Sequence, residues 1–416
     1  VSKNGKTIRV GIFTLSFPTP SETFIVTKVL GLLRAGVDVH IFTLTPSSHW
    51  DRFGVLADWP DIRQRIHCAP TTRPLWKMLT RGSWQAIKKA LGHPIGFMRF
   101  LAHNWRTRQE NYLGFWKGLF RRLPFIGQSL DILHIEFDAQ GLGTADLKTF
   151  LKCPLLLSSR GAFQRTSVPD RFPGVYDYLF RYVDGYHFIS SYLRMNTYRL
   201  GLNPAVRTWL IEPAIDLERF VPHPDRSLRA LDAPYRILSV GRLDWAKGYE
   251  FALDAVARVR DAGIPLEYTI LGEGPYEEAL IFAARQSNLL QTGVVRFMGA
   301  VSQESVRRHY LEADVMLHAA VEEGFCNAVV EAQAMELPVV TSDAGGLPEN
   351  VKDQVTGFVV PSRDPDAMAQ KLIQLALDPK LCRQLGRAGR EHVLRHFDIS
   401  NQVGEFVSLY ESLAAA

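Results

Sequence analysis

The chain alternates buried-strand runs with amphipathic helical segments, and it does so twice. Thr7–Leu15 is an apolar run suited to a covered strand, followed by the loop Ser16-Phe-Pro-Thr-Pro-Ser-Glu22. A helical segment runs from Thr23 to about Ala35 and is closed by Gly36, and Val37–Leu44 is a second strand. Strand, helix, strand in that order implies a parallel sheet with right-handed crossovers. Ile132–Ile135, Pro154–Ser158, Gly185–Ile189 and Thr208–Ile211 extend the series. The Pro-rich stretch Phe220-Val-Pro-His-Pro-Asp225 marks a boundary. The alternation then restarts with strands at Tyr235–Val240, Leu266–Leu271, Val294–Phe297, Val315–His318 and Pro338–Thr341. Helices are predicted at Tyr249–Ala262, Tyr276–Gln286, Asn327–Glu336 and Pro365–Leu377. Two such arrays predict two doubly wound α/β domains facing each other across a cleft, with ligands outside the carboxyl ends of the strands.

Length agrees with this division, since 416 residues suit two domains of roughly 200 each. No run of about 18 uncharged apolar residues predicts a membrane-spanning helix. The first residues carry no apolar signal core. Cys68, Cys153, Cys326 and Cys382 are scattered, which argues against a zinc site or a disulfide framework and fits a reducing cytoplasm. Charge is uneven. Residues 73–122 hold eleven Lys/Arg and one acidic residue, Glu110, against a net +5 for the whole chain. Trp76, Trp84, Trp105 and Trp116 fall in the same stretch. Basic residues mixed with Trp, Phe and Leu at helical spacing fit contact with an anionic membrane. They fit equally a solvated helical insertion whose aromatics pack on the domain core. No nucleic-acid recognition module is visible, so nucleic acid is not expected as a partner.

Four loops that follow strands carry the candidate chemistry. Tyr235–Val240 runs into Gly241-Arg242-Leu-Asp-Trp-Ala-Lys247-Gly248, where two cations sit on a glycine-flanked turn before a helix. Such a turn suits a diphosphate, with Arg as a fork and Lys as a point charge. Leu271-Gly272-Glu-Gly274-Pro is the second loop. The third, after Val315–His318, reads Ala319-Ala-Val-Glu-Glu323-Gly324-Phe325-Cys326-Asn327-Ala-Val-Val-Glu331. It places one carboxylate before a helix and another inside it, able to accept hydrogen bonds from separate hydroxyl-bearing groups. The fourth, Asp343-Ala-Gly345-Gly346-Leu-Pro-Glu349, allows close backbone approach to a ligand.

Taken in this order, Gly-Arg-x4-Lys-Gly, Gly-x-Gly-Pro, Glu-x7-Glu with Glu-Gly-Phe, and Gly-Gly-x-Pro-Glu resemble the donor-binding domain of the family-four retaining glycosyltransferases of the GT-B fold. The resemblance is dense over about 235–395. In the other half, Phe17-Pro-x-x-Ser21-Glu22-Thr-Phe-Ile25 looks like members that build bacterial exopolysaccharides. It implies an N-terminal acceptor-side domain over 1–220 with the basic insertion at 70–128, a donor domain over 221–395, and a last helix over 396–416 crossing back to the first domain. The reaction implied is sugar transfer with retention from a UDP- or GDP-linked donor to a glycan or lipid-linked acceptor. By the same resemblance, Arg242 and Lys247 bind the donor diphosphate, Glu323 contacts the transferred sugar and Glu331 holds the ribose. Gly241, Gly272, Gly274, Gly324, Phe325, Cys326, Asn327, Gly345 and Gly346 line the donor site. His134 is a candidate catalytic residue of the cleft, or equally a structural histidine at a strand end.

Two positions depart from the family pattern. Many members carry His-x-His where this chain reads His134-Ile-Glu136, and His-Gly where it reads Ser159-Arg160-Gly161. Glu136 and Arg160 either pair with each other or serve a charged acceptor, and with Ser21 and Glu22 they are the acceptor-side candidates. Asp364-Pro-Asp366 imitates the Asp-x-Asp metal motif of another glycosyltransferase fold, but Asp364 reads as a helix N-cap with Pro365 at the first helical position. No metal and no cofactor beyond the donor are expected, and the site is expected to work in the cytoplasm or at the inner face of its membrane. A soluble small-molecule or protein glycosyltransferase, or a nucleotide-sugar-binding pseudoenzyme, is the alternative.

Overall fold

The computed structural model describes residues 7–19, 22–70, 76, 78–107, 112–161, 168, 171–223, 230 and 233–415. Ser21, one of the acceptor-side candidates, lies outside them, as does Glu110. The chain divides into two compact units. One comprises Val1–Ile189, Arg194–Ile211 and Ser400–Ala416, and the other Ser190–Leu193 and Glu212–Ile399.

The first unit is built on a seven-stranded parallel sheet. Its strands are β1 (Arg9–Thr14), β2 (Asp38–Thr43), β3 (Ile66–Cys68), β4 (Ile132–Ile135), β5 (Leu155–Ser159), β6 (Gly185–Phe188) and β7 (Arg207–Leu210), in the order β3-β2-β1-β4-β5-β6-β7. The chain winds outward one way from β1 and the other way from β4, so the switch point lies between these two. β4 and β5 are buried along their whole length, as strands covered on both faces must be. Helix α1 (Thr23–Arg34) covers the sheet with Ile25, Val26, Val29, Leu30 and Leu32.

The basic insertion folds as helices: α2 (Ser83–Gly92), α3 (Pro94–Thr107) and a third at Tyr112–Arg122. One face of α3 is anchored. Phe100 is fully buried with its ring edge-on to Phe150, and His103 Nε2 lies 3.0 Å from Asp146. Arg122, also buried, donates both Nη atoms to the same carboxylate. The last helix, α4 (Ile399–Ala414), buries Val403, Phe406, Leu409, Tyr410 and Leu413, and from Ser400 on it belongs to this first unit.

The second unit carries a six-stranded parallel sheet: β8 (Tyr235–Val240), β9 (Leu266–Leu271), β10 (Val295–Phe297), β11 (Val315–His318), β12 (Val339–Ser342) and β13 (Gly357–Val360), ordered β10-β9-β8-β11-β12-β13. Its switch point lies between β8 and β11. The core joins Ile237, Tyr268, Ile270, Leu317 and Val340 of the sheet to Leu253, Val256, Met368 and Leu372 of the covering helices.

Two strands depart from the sequence expectation. β3 is a three-residue, half-buried edge strand with no apolar run, and β13 begins on a glycine beyond the last predicted strand. Helices at Gln303–Glu312 and Pro379–His396 are likewise additional, both rich in charged residues that dilute their apolar spacing. Asp364 caps the helix Pro365–Leu377 by accepting from the Ala367 amide, and Asp366 pairs with Arg258, so the Asp-x-Asp carboxylates are engaged in structure.

Candidate active site

The loops after β8, β11 and β12 meet at the switch point of the second sheet, where the carboxyl ends of diverging strands leave room for a ligand. The β8 loop is shaped by Asp244. One of its carboxylate oxygens accepts from the Ala246 amide at 3.0 Å and caps the short turn Trp245–Lys247; the other holds Arg242 at 2.8 Å. A single carboxylate therefore sets both cations of the Arg-x4-Lys pattern. Gly248 ends the turn at φ +59, and a Cβ there would stand 2.2 Å from the Ala319 carbonyl oxygen, so the turn packs directly on the β11 loop.

Packing of these loops brings Lys247 and Glu323 together. The ammonium and the carboxylate form an ion pair with side chains only 18% and 14% exposed. His318, the last residue of β11, directs Nε2 at the same Glu323 oxygen from 3.3 Å, and its Nδ1 lies 4.0 Å from the Cys326 sulfur. Burial alone would raise the Glu323 carboxyl, but the Lys247 charge and the His318 contact override it and hold it at about 2. Burial opposes the charge on His318, yet Cys326 and Glu323 outweigh it and lift the imidazole to about 9. Lys247 is likewise raised above its ordinary value by Glu323 against the cost of burial. At neutral pH the trio thus holds two fixed cations and one fixed anion, with the exposed Arg242 beside it.

Glu331 stands on the helix Asn327–Ala334, one turn inside, and accepts from Tyr310 Oη at 3.1 Å. Burial pushes its carboxyl up to about 7, against the pull of Tyr310 and Arg219. Two carboxylates eight positions apart are therefore opposite in character, Glu323 a permanent anion and Glu331 close to neutrality.

The glycines serve the protein's own backbone. A Cβ on Gly345, at φ +59, would stand 2.0 Å from the Glu323 carbonyl oxygen, and one on Gly346 would stand 2.1 Å from that of Gly324. Gly272 and Gly274 lie as closely against the carbonyls of Gly241 and Leu243. The space a Cβ would take at these glycines is filled by adjoining loops that they lock together. The Cys326 amide is taken by Asn350 Oδ1 at 3.1 Å, and Phe325 is buried edge-on against Phe397, so neither offers its group freely. Asn327 opens the helix and is partly exposed.

Among the described residues, His318, Glu323 and Cys326 bring possible ligand atoms within 4.8 Å of one another. Lys247 and His318 both donate to one Glu323 oxygen. A cation seated there has to displace an ammonium from its carboxylate, so the trio fits an ion-pair network better than a metal cage.

The remaining candidates lie in the first unit, at the carboxyl ends of β1, β4 and β5. Glu136 is completely buried between Lys28 of α1 and Arg160, whose Nη2 donates to it at 2.8 Å. The pairing of Glu136 with Arg160 is thus one of the two alternatives realised, with Lys28 as an additional partner. Burial lowers the Lys28 ammonium to about 8 despite Glu136. Glu22 accepts from Thr14 Oγ1 at 3.2 Å, and burial raises its carboxyl.

His134 is fully enclosed, and both ring nitrogens are engaged. Its Nδ1 is 2.7 Å from Tyr410 Oη and its Nε2 is 2.7 Å from Ser158 Oγ; that hydroxyl is 2.7 Å from His187 Nδ1, and His187 Nε2 is 2.9 Å from the Ile211 carbonyl. The carbonyl can only accept, so His187 donates from Nε2, Ser158 donates to His187 Nδ1, His134 donates from Nε2 to Ser158, and Tyr410 donates to His134 Nδ1. Burial keeps both imidazoles uncharged, lowering His187 to about 3. The chain closes α4 onto the sheet and leaves His134 no free nitrogen for a substrate, so the structural one of its two readings is realised and the catalytic one is not.

Sequence reasoning passed over Asp244, His318, Tyr310 and Lys28. The available signal was a single polar residue at the end of, or inside, an apolar segment: His318 closes the run Val-Met-Leu-His, and Lys28 interrupts the buried face of α1.

Comparison with known proteins agrees with this placement. Residues 225–392 match the family model "Glycosyl transferases group 1". The chain is 27% identical to the putative colanic acid biosynthesis glycosyltransferase WcaL of Escherichia coli, over 98% of this chain and 100% of that one. It is 26% identical to the amylovoran biosynthesis glycosyltransferase AmsK of Erwinia amylovora, over 89% and 91%. Among solved structures, sucrose-phosphate synthase from Thermosynechococcus elongatus shares the fold with a TM-score of 0.73 at 18% identity, covering 98% of this chain and 99% of that one. HepE of Anabaena, solved in complex with UDP, has a TM-score of 0.70 at 15% identity over 98% and 100%. Residues 225–392 are therefore a group 1 glycosyl transferase domain, and the chain is a glycosyltransferase of GT-B architecture.

Proposed function

We propose that this enzyme transfers a sugar from a UDP- or GDP-linked donor, with retention of configuration and without a metal ion, to a glycan or lipid-linked acceptor in bacterial polysaccharide assembly. The observation that carries the reading is the Lys247–Glu323–His318 trio at the switch point of the second sheet. Two cations that stay charged at neutral pH, with Arg242 beside them, suit a diphosphate that gains negative charge as the sugar departs. Supplied by side chains, that stabilisation supports transfer without a metal ion. Glu323, anionic throughout the working range, offers an acceptor for sugar hydroxyls, and Glu331 one for the ribose. WcaL and AmsK carry colanic acid and amylovoran synthesis in their names, which supports an exopolysaccharide setting for the acceptor.

Release of nucleotide from UDP- and GDP-sugars, followed with and without EDTA, tests the reading. Turnover of one donor class that persists in EDTA and collapses in Lys247→Ala is expected, with the product anomer matching the donor by NMR. Turnover that requires a divalent ion, or an inverted product, contradicts it.

A further inference from the structure

The helices α2 and α3 expose what soluble helices bury. No residue of α2 is buried, although its sequence is amphipathic. Trp84, Ile87 and Leu91 fall on one stripe of α2 and are 59%, 50% and 79% exposed; Ile95, Met98 and Trp105 of α3 follow at 77%, 64% and 66%. The opposite face of α3 is spent on the core through Phe100 and the contacts of His103, so the exposed stripe is a second apolar face on an anchored helix. Only His93 separates the two helices, which keeps Leu91 and Ile95 close along the chain. Arg81, Lys88, Arg99 and Arg106 are exposed among these side chains, and residues 81–106 contain no acidic residue. Lys88 lies 5.3 Å from the Trp84 ring centre, so cation and aromatic share one patch.

Exposed Trp, Leu, Ile and Met beside cations in a stretch without acidic residues match the two layers of an anionic lipid surface, acyl boundary and headgroup phosphate. A second copy of the chain fits poorly, because a self-complementary interface sets this cationic stretch against itself. We propose that the α2–α3 arm docks the enzyme on an anionic bilayer by inserting this stripe at the interface, with Arg81, Lys88, Arg99 and Arg106 at headgroup level. The proposal stands apart from the donor chemistry, since it uses none of the site residues.

The test is sedimentation of the full chain with vesicles of phosphatidylcholine alone and of phosphatidylcholine mixed with phosphatidylglycerol, at low and high salt. Binding to the mixed vesicles only is expected. Lys88→Glu/Arg99→Glu/Arg106→Glu weakens it more than about a hundredfold, each lost cation accounting for about fivefold. Trp84→Ala/Leu91→Ala/Ile95→Ala/Met98→Ala weakens it about tenfold or more. Trp84→Ala alone gives a smaller loss in the same direction, and unfolding midpoints stay at the wild-type value because these side chains are exposed. Absent binding to anionic vesicles, equal binding to phosphatidylcholine, or an undiminished apolar variant overturns the proposal. Salt-dependent self-association that the apolar variant abolishes, without vesicle binding, overturns it in favour of a second copy.

Discussion

Replacing Glu323 by Gln keeps the shape of the side chain and removes its charge, and the structure sets the expected cost. Glu323 is held at about 2, against 4.5 for an ordinary glutamate, with its side chain 14% exposed. That gap corresponds to about 3 kcal/mol in favour of the folded state. Because the folded value lies below the unfolded one, the contribution is complete well above pH 4.5 and is lost as the pH falls towards 2. Glu323→Gln is therefore expected to lower the stability of the second unit by about 3 kcal/mol at pH 7, or about 6–12 °C in its midpoint. It also leaves Lys247 and His318 as like charges with no anion between them, so the imidazole drops from about 9. Urea titrations of wild type and variant at pH 7 and pH 3 measure the difference, which is expected to shrink to roughly half at pH 3. A loss below about 1 kcal/mol at pH 7, or one independent of pH, refutes the claim that Lys247 and His318 hold Glu323 as a buried anion.

Three further outcomes are expected. Ser158→Ala strands His134 Nε2–H and His187 Nδ1, costing about 2–4 kcal/mol in urea unfolding while nucleotide affinity of the folded protein stays unchanged. The carboxyl of Glu331, raised to about 7, becomes a better acceptor for ribose hydroxyls as it deprotonates, so nucleoside diphosphate affinity by calorimetry rises about three- to tenfold between pH 6 and 8. Glu331→Gln flattens that rise. Gly248→Ala forces a Cβ to 2.2 Å from the Ala319 carbonyl at positive φ, and a loss of about 2 kcal/mol or more in thermal unfolding is expected.

Much of the architecture was written in the periodicity of the chain, because a parallel strand covered on both faces needs an uninterrupted apolar run. Ile132–Ile135 and Val315–His318 have the predicted limits for that reason, and Tyr235–Val240 and Leu266–Leu271 match theirs although Arg236 and Glu267 interrupt the runs. β3 escaped because an edge strand of Ile-His-Cys needs no such run. The site was legible as a set of loops but not as a network. Spacing marks Lys247 and Glu323 separately; their ion pair depends on how the β8 and β11 loops pack, and that follows from Gly248 abutting Ala319. Asp244 was hidden because a cap and an ion pair look like any loop aspartate, and His318 because its one signal, a single polar residue closing an apolar strand, does not say what it touches. His134 stood open to two readings because nothing local decides between them; a tyrosine 276 positions away supplies the partner that closes it into the core.

A nucleoside diphosphate is proposed to bind in the second unit on Lys247 without a metal. Titration calorimetry with UDP and GDP, each with and without EDTA, on wild type and Lys247→Ala tests it most directly. One of the two nucleotides is expected to bind wild type equally in EDTA and to bind the variant about tenfold to a hundredfold more weakly, the loss of one charge-assisted phosphate contact. Binding that vanishes in EDTA, or that survives undiminished in the variant, contradicts it.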